Sequence, residues 1–428
     1  MTQPAPGGTP GHDPYAAFRV RPFRLFMIGS VIAQVGAGAQ AVAIGWEVYQ
    51  RTGEALALGM TGLIMALPML VLTLPCGYLA DIFDRRVLLI VSMSGTALSA
   101  LALALTSWLH GPLLLLYVLL LVTAVTNTLG RPARAAFFPL LVPRSMFENS
   151  VAWRTSLGQI AAMSGPALGG FIIAWSIPAA YVVCAVGHLC LAALLLTSIR
   201  VITTDKPPSE PPLQEIISGI RYVWNVRVLF MAMALDLFAV LLGGAVYLLP
   251  IYATKILAVG AEGLGWLRAA PAMGAFCMAL ILAHRPPMKR AGRNMLLAVA
   301  GFGAATIVFG VSRSFWLSMA MLFLTGVFDN VSVVVRHTMI QLLTPNRMRG
   351  RVSAVSTVFI GSSNELGGFE SGIVAHWFGP VVSVVSGGIG TLVVVAAMTF
   401  GTPHLRRFGS LSDAAPVIEP DEKSDEDH

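Results

Sequence analysis

Apolar stretches of about 20 residues, the length that crosses a bilayer as a helix, recur along the whole chain. Twelve can be marked, at 22–49, 56–80, 87–108, 112–133, 150–175, 179–199, 228–253, 264–284, 294–312, 315–336, 352–378 and 380–400. Apolar residues make up 56% of the 428 and charged residues 11%. A water-soluble domain of this length needs far more polar surface. A bilayer core leaves few solutions, because every backbone N–H and C=O must be paired inside the segment. The expected class is an all-α membrane protein of twelve helices.

The chain also repeats itself. Arg134 to Pro143 reads Arg, five residues, Leu-Leu, one residue, Pro, and Arg336 to Pro345 reads the same. Leu168-Gly169-Gly170-Phe171 returns as Leu366-Gly367-Gly368-Phe369. A repeat of roughly two hundred residues in such a chain points to two homologous six-helix bundles. The expected organisation is a disordered N-terminus at 1–17, one bundle at 18–200 and a linker with a short amphipathic helix at 201–226. A second bundle at 227–402 and an acidic disordered tail at 403–428 complete it. The tail carries Glu419, Asp421, Glu422, Asp425, Glu426 and Asp427. Pro207, Pro208, Pro211 and Pro212 mark the linker, and 213–224 alternates apolar and charged residues at helical spacing.

Lys and Arg set the orientation. Of the 28, all but Arg51, Lys255, Arg268 and Arg313 fall on the same side of the twelve stretches as the termini. Both termini are expected on the cytoplasmic side. The excess positive charge then needs no nucleic acid to explain it. Trp46, Trp108, Trp175, Trp316 and Trp377 lie near the opposite ends, where amphipathic rings favour the interface. Cys76, Cys184, Cys190 and Cys277 read as small buried hydrophobes. No metal-type spacing, nucleotide loop or catalytic constellation is present, so neither enzyme nor cofactor is expected.

The second stretch ends in Gly77-Tyr78-Leu79-Ala80-Asp81-Ile82-Phe83-Asp84-Arg85-Arg86. This resembles the signature between helices 2 and 3 of the major facilitator superfamily, with Gly77, Asp81, Arg85 and Arg86 matching. Ile82 and Asp84 depart from it. The resemblance implies a latch between the halves, with Asp81 facing the start of the eleventh helix near Arg349-Gly350-Arg351. The alternative is a short turn carrying positive-inside charge. The fifth stretch holds Ser164-Gly165-Pro166-Ala167-Leu168-Gly169-Gly170. It is similar to that superfamily's antiporter signature, which goes with export, with Ala161 in place of the first Gly. Gly165 and Gly169 also form a small-residue face for another helix, and Pro166 removes one backbone hydrogen bond. Arg349-Gly350-Arg351-Val352 after a Thr-Pro-x-x-Met loop is similar to the branch with enterobactin exporters and macrolide-efflux proteins. The resemblance spans residues 18–400.

Charge inside the hydrocarbon marks function by default. Asp236, Asp329, Glu365 and Glu370 are the candidate proton or substrate acids, with Glu47 a weaker fifth. Gln34, Gln40, Asn127, Asn330 and Asn364 are the candidate cavity polar groups. Asp329 and Arg336 are seven residues apart and share a helix face. Only His188, Arg154 and Arg268 stand out as basic partners within the membrane. The expected function is proton antiport that exports a small amphipathic molecule, drug-like or a siderophore, by alternating access in a monomer. A proton-independent facilitator or importer of the same fold, and a non-transporting sensor, are the alternatives.

Overall fold

The computed structural model describes residues 13–199, 212–285, 288–401 and 409. The expectations for the first twelve residues, for the prolines at 207–211 and for the acidic tail lie outside them. The described residues are helical, with no strand among them. After one helical turn, Ala16–Arg19, come α1 (Arg21–Thr52), α2 (Ala55–Ile82), α3 (Arg85–Trp108), α4 (Leu113–Phe137), α5 (Phe147–Trp175) and α6 (Ile177–Thr197). A linker helix, Pro212–Asn225, leads to α7 (Arg227–Leu242), α8 (Gly260–Ala283), α9 (Ala291–Val311), α10 (Phe315–Leu343), α11 (Asn346–Phe378) and α12 (Pro380–Gly401). Eleven spans are long and apolar enough to cross a bilayer by length and composition. The remaining helix, α11, has 33 residues and is the most polar, because it carries Glu365 and Glu370.

The packing shows why glycines punctuate these helices. Gly165 and Gly169 of α5 face α1, where a Cβ on Gly169 would lie 2.7 Å from the Ala39 Cα. Gly170 faces the other half: its Cβ would lie 2.8 Å from the Gly265 nitrogen of α8. Gly59 of α2 meets Gly372 of α11 in the same way. The two halves therefore touch backbone to backbone along α5/α8 and α2/α11, contacts that small residues permit.

The cores show which side is open. Away from the termini, one apolar cluster joins both halves, with Val42, Trp46, Tyr49 and Leu58 packed among Leu248, Tyr252, Leu264 and Leu267. On the side of the termini each half keeps its own core, around Phe23, Phe137 and Phe138 in the first and around Met295, Val335 and Met339 in the second. The molecule is sealed on one side and open on the other. Trp108, Trp175, Trp316 and Trp377 are 70% to 86% exposed at the sealed side, as the aromatic belt requires. Trp46 departs from that expectation and is buried in the shared core.

Three further expectations change. The seventh stretch is not one helix. It breaks at Gly243-Gly244 and continues as a 3-10 turn, Ala245–Leu248, a short helical turn, Leu249–Ile251, and a π-type turn, Tyr252–Ile256. Two glycines disfavour helix, and a side chain on Gly244 would collide with the Gly367 backbone of α11, its Cβ 2.7 Å from the carbonyl carbon. The contact expected of a latch is not formed: no hydrogen bond or salt bridge among the described residues joins Asp81 to the start of α11. Asp81 is exposed, a Cβ on Gly77 or Gly350 would meet nothing within 4 Å, and Asp84 caps its own helix through the Arg86 and Val87 nitrogens at 2.7 and 3.3 Å. The helix that carries Asp81 instead approaches the linker helix, which is packed on the second half. The linker helix is also more than a surface helix. Tyr222 donates to the Leu343 carbonyl at 2.7 Å and the Arg351 Nη1 donates to the Ser218 Oγ at 3.1 Å. Ile217, Ile220 and Trp224 face outward, which leaves an apolar face for the membrane surface.

Candidate functional site

Between the halves, beneath the shared core, lies a cavity of ≈ 680 Å³. Its apolar walls include Leu58, Met65, Phe302, Phe309 and Leu322. Six acidic or basic side chains line it, Asp236, Asp329, Glu365, Arg131, Arg268 and Arg336, together with Tyr247. A side chamber of ≈ 220 Å³ adds Asn127 and Arg134 and shares Met65, Arg131 and Glu365 with it. A cavity of this size suits a drug-sized molecule.

The charges form two groups. Asp236 of α7 is ion-paired with Arg336 of α10, and both are buried, Arg336 to 1% exposure. The Arg336 Nε has no hydrogen-bond partner. Asp329, two turns before Arg336 on α10, feels the charges of both, but no hydrogen bond or salt bridge among the described residues engages it. Two carboxylates thus stand in the field of one guanidinium, and only Asp236 is paired with it. Asn330, beside Asp329, is buried with its Oδ1 unpartnered.

The second group has the opposite balance. The Tyr247 hydroxyl donates to Glu365 of α11. The break in α7 makes that contact possible: the 3-10 turn turns Tyr247 toward α11, where its ring fills the space over Gly368. Arg131 of α4 and Arg268 of α8 both act on the Glu365 charge, and neither is within salt-bridge distance of an acid. The Arg268 Nε is buried without a partner. The Arg131 Nη1 approaches the Met69 sulfur at 3.5 Å. Here two guanidiniums share one carboxylate, and they come from opposite halves.

The other expected residues scatter. Glu47 does not line the cavity. It pairs with Arg51 and accepts from Tyr181 at 2.6 Å, while Arg51 also donates to the Gly111 carbonyl at 2.7 Å. That network ties α1 to α6 and to the α3–α4 turn within the first half, so Glu47 reads as a structural clamp. Glu47→Ala is expected to cost about 2–3 kcal/mol of stability and to leave any proton dependence of transport unchanged; thermal unfolding in detergent and vesicle transport check the two halves of that statement. Glu370 lies off the cavity, half-buried, with Ser371 Oγ at 3.4 Å. Asn364 lines the cavity and donates to the Ile360 carbonyl at 2.8 Å. Gln34 is exposed two turns below Ala41, on the face that lines the cavity, and Gln40 is buried with an unpartnered Oε1.

The basic partners differ from the expected ones. His188 is bonded to its own helix, Nδ1 to the Cys184 carbonyl at 2.9 Å, and Arg154 lies over the Phe138 ring at 4.5 Å. Arg131, Arg134 and Arg336, counted above only as positive charge on the side of the termini, line the cavities from membrane helices. For Arg336 the seven-residue spacing from Asp329 already put both on one helix face. Tyr247 carried no such signal, because a Tyr among apolar residues reads as core. No group of His, Cys, Asp and Glu that could hold a metal ion occurs among the described residues.

A helical bundle with an acid-lined cavity between two related halves is the architecture of a membrane carrier, and similarity to known proteins agrees. The family described as Transmembrane secretion effector matches residues 12–420. The chain belongs to this family. Its relatives include the Enterobactin exporter EntS of Escherichia coli O1:K1 / APEC, 26% identical over 400 residues, 90% of this chain and 93% of the relative. EntS of Shigella boydii serotype 18 is 27% identical over 399 residues, with the same shares. Among solved structures, a bacterial homologue of the human lysosomal transporter Spinster, inward-facing and unoccupied, superposes with a TM-score of 0.68 at 13% identity, covering 96% of this chain and 100% of that one. A peptide transporter of the POT family in complex with sulfate gives 0.71 at 12% identity, covering 93% and 99%. The fold is that of the major facilitator superfamily. The protein is a multi-pass membrane transporter and not an enzyme.

Proposed function

We propose that the protein exports a small amphipathic molecule, drug-like or a siderophore, by exchange for protons. The observation that carries this reading is Asp329, a carboxylate on the cavity wall with no ionic partner, next to an Asp236 that Arg336 already neutralises. An uncompensated charge inside a closed apolar seam costs several kcal/mol. Closing the halves over the cavity is therefore expected to require a proton or a substrate group on Asp329. If the two compete for that carboxylate, neither crosses with the other, and inward proton flow drives the substrate out. The positive-inside pattern puts the termini in the cytoplasm, so the open side faces the cytoplasm, as a loading state should. The antiporter-like Gly165-Pro166 and Gly169-Gly170 pair supports the same direction. They bring α5 against α1 and α8, the seam about which the halves would rock. The apolar walls suit an amphipathic body, and the name of the relatives adds catecholate siderophores to the candidates.

The test is export of dyes, macrolides and catecholate siderophores from cells making the protein, with and without a protonophore. Protonophore-sensitive export that is lost in Asp329→Asn and kept in Arg144→Gln, an exposed basic control, is the expected result. Export indifferent to both the protonophore and Asp329→Asn would replace antiport by facilitated transport.

A further inference from the structure

The second half carries a basic segment that the transport reading does not use. In the first half the turn between α2 and α3 holds acids and committed arginines. Asp84 caps α3, and Arg86 donates to the Leu195 and Leu196 carbonyls at 2.8 and 3.0 Å. Its counterpart between α8 and α9 keeps only the positive charge. Residues 284–293 include Arg285, Lys289, Arg290 and Arg293 and contain no acid. All four are exposed, and no salt bridge among the described residues engages any of them.

Arg285 stands at the rim of a groove, and Lys289, Arg290 and Arg293 follow it within eight residues, flanking its lining residues Met288 and Asn294. Helices α8 and α9 scarcely meet each other, although each packs closely on α10. The gap between them is a space of ≈ 690 Å³, floored by Val327, Phe328 and Val331 of α10 and walled by Ile281 and Leu297, 48% and 59% exposed. Arg285 and Asn294 line its mouth on the side of the termini. From Arg285 the groove follows α8 to Met278, seven residues or about 10 Å toward the midplane. It shares no lining residue with the central cavity. It opens on the membrane-facing flank of the bundle, where hydrocarbon chains are the available solvent.

We propose that this groove is a binding site for an anionic phospholipid of the leaflet on the side of the termini. One acyl chain lies against Phe328 and Leu297, and the phosphate is held by Arg285 and Lys289. The charge decides the class. A zwitterionic lipid would fill the groove equally well, but its added cationic headgroup gains nothing beside four unpaired cations. An anionic headgroup near the surface gains about fivefold in affinity per basic residue. The Asn294 amide can donate to the same phosphate oxygens.

The test uses the full-length protein in mild detergent with equal phosphatidylglycerol and phosphatidylcholine, and counts retained lipids by native mass spectrometry. The expected result is a phosphatidylglycerol preference of roughly tenfold or more, reduced about fivefold by Arg285→Gln and abolished by Arg285→Gln with Lys289→Gln. Leu297→Trp, on an exposed wall, is expected to lower retention of both lipids by obstructing the chain. Arg144→Gln, an exposed basic residue of the first half, is expected to change nothing. Equal retention of the two lipids, or a preference that survives the double substitution, overturns the proposal and leaves only annular lipid. A preference that appears only when the acids of 419–427 are neutralised also overturns it. That outcome would assign the rim to the chain's own acids at 419–427; among the described residues, the Gly409 carbonyl accepts from the Ala291 nitrogen at 3.1 Å.

Discussion

Asp236→Ala is expected to cost about 3–5 kcal/mol of stability and to abolish transport, the largest loss of any single substitution in the cavity. The reason is what remains. Arg336 is 1% exposed on α10, its partner is the Asp236 carboxylate, and its Nε is already without a hydrogen bond. Removing the carboxylate strands a buried guanidinium, for which hydrocarbon offers no solvent. Asp329 is another charge that acts on this pair. It can answer part of the loss, but only by giving up the free carboxylate on which the proposed proton step depends. Asp236→Ala with Arg336→Ala is expected to recover much of the stability, because no charge is then left unpaired. Thermal unfolding in detergent and surface expression read the stability, and vesicle uptake reads the transport. Equal stability of the single and double variants would mean that the pair is solvated and that the cavity is wetter than its lining implies.

Glu365→Gln is expected to separate the two things a coupled carrier does. Glu365 accepts from Tyr247 and is acted on by Arg131 of the first half and Arg268 of the second. Among the described residues it is the one acid whose partners come from both halves and from the broken part of α7. The amide keeps the volume and can still accept from Tyr247, but the charge that balances two guanidiniums is gone. Transport driven by a pH gradient is expected to fall about 100-fold or more, while downhill exchange of substrate persists. Tyr247→Phe keeps the charge and removes the donor, so it is expected to have a smaller effect, of about 1 kcal/mol in stability, with coupling retained. Gradient-driven transport unchanged in Glu365→Gln would place coupling on Asp329 alone and leave Glu365 as a structural acceptor for Tyr247.

Several features of the site follow from local pattern. Asp329 and Arg336 share a face because they are seven residues apart on one helix, which is arithmetic on 3.6 residues per turn. Gly165 and Gly169 face another backbone because small residues four apart permit it, and α1 occupies that place. The repeat also carried information: Arg134 corresponds to Arg336 and Asn127 to Asp329, so the acidic member is confined to the second half. Glu47 and Trp46 show the limit of the same reasoning. Each sits near a helix end, where the interface is the default environment. Only the approach of Tyr181 and Arg51, and of the second half's Leu248 and Tyr252, makes one a clamp and the other core.

The sequence by itself determined that this chain crosses a membrane with helices, that it does so in two related halves, and which side is basic. Those properties depend on length, polarity and repetition along one strand of chain, and the bilayer admits few ways to satisfy them. The tertiary structure decided which arginine answers which acid, that α7 breaks so that Tyr247 reaches Glu365, that no bond joins Asp81 to the start of α11, and where the membrane-facing groove lies. Each of these is a contact between helices distant in sequence. Helical periodicity says which face a side chain takes, but not which helix will stand opposite it.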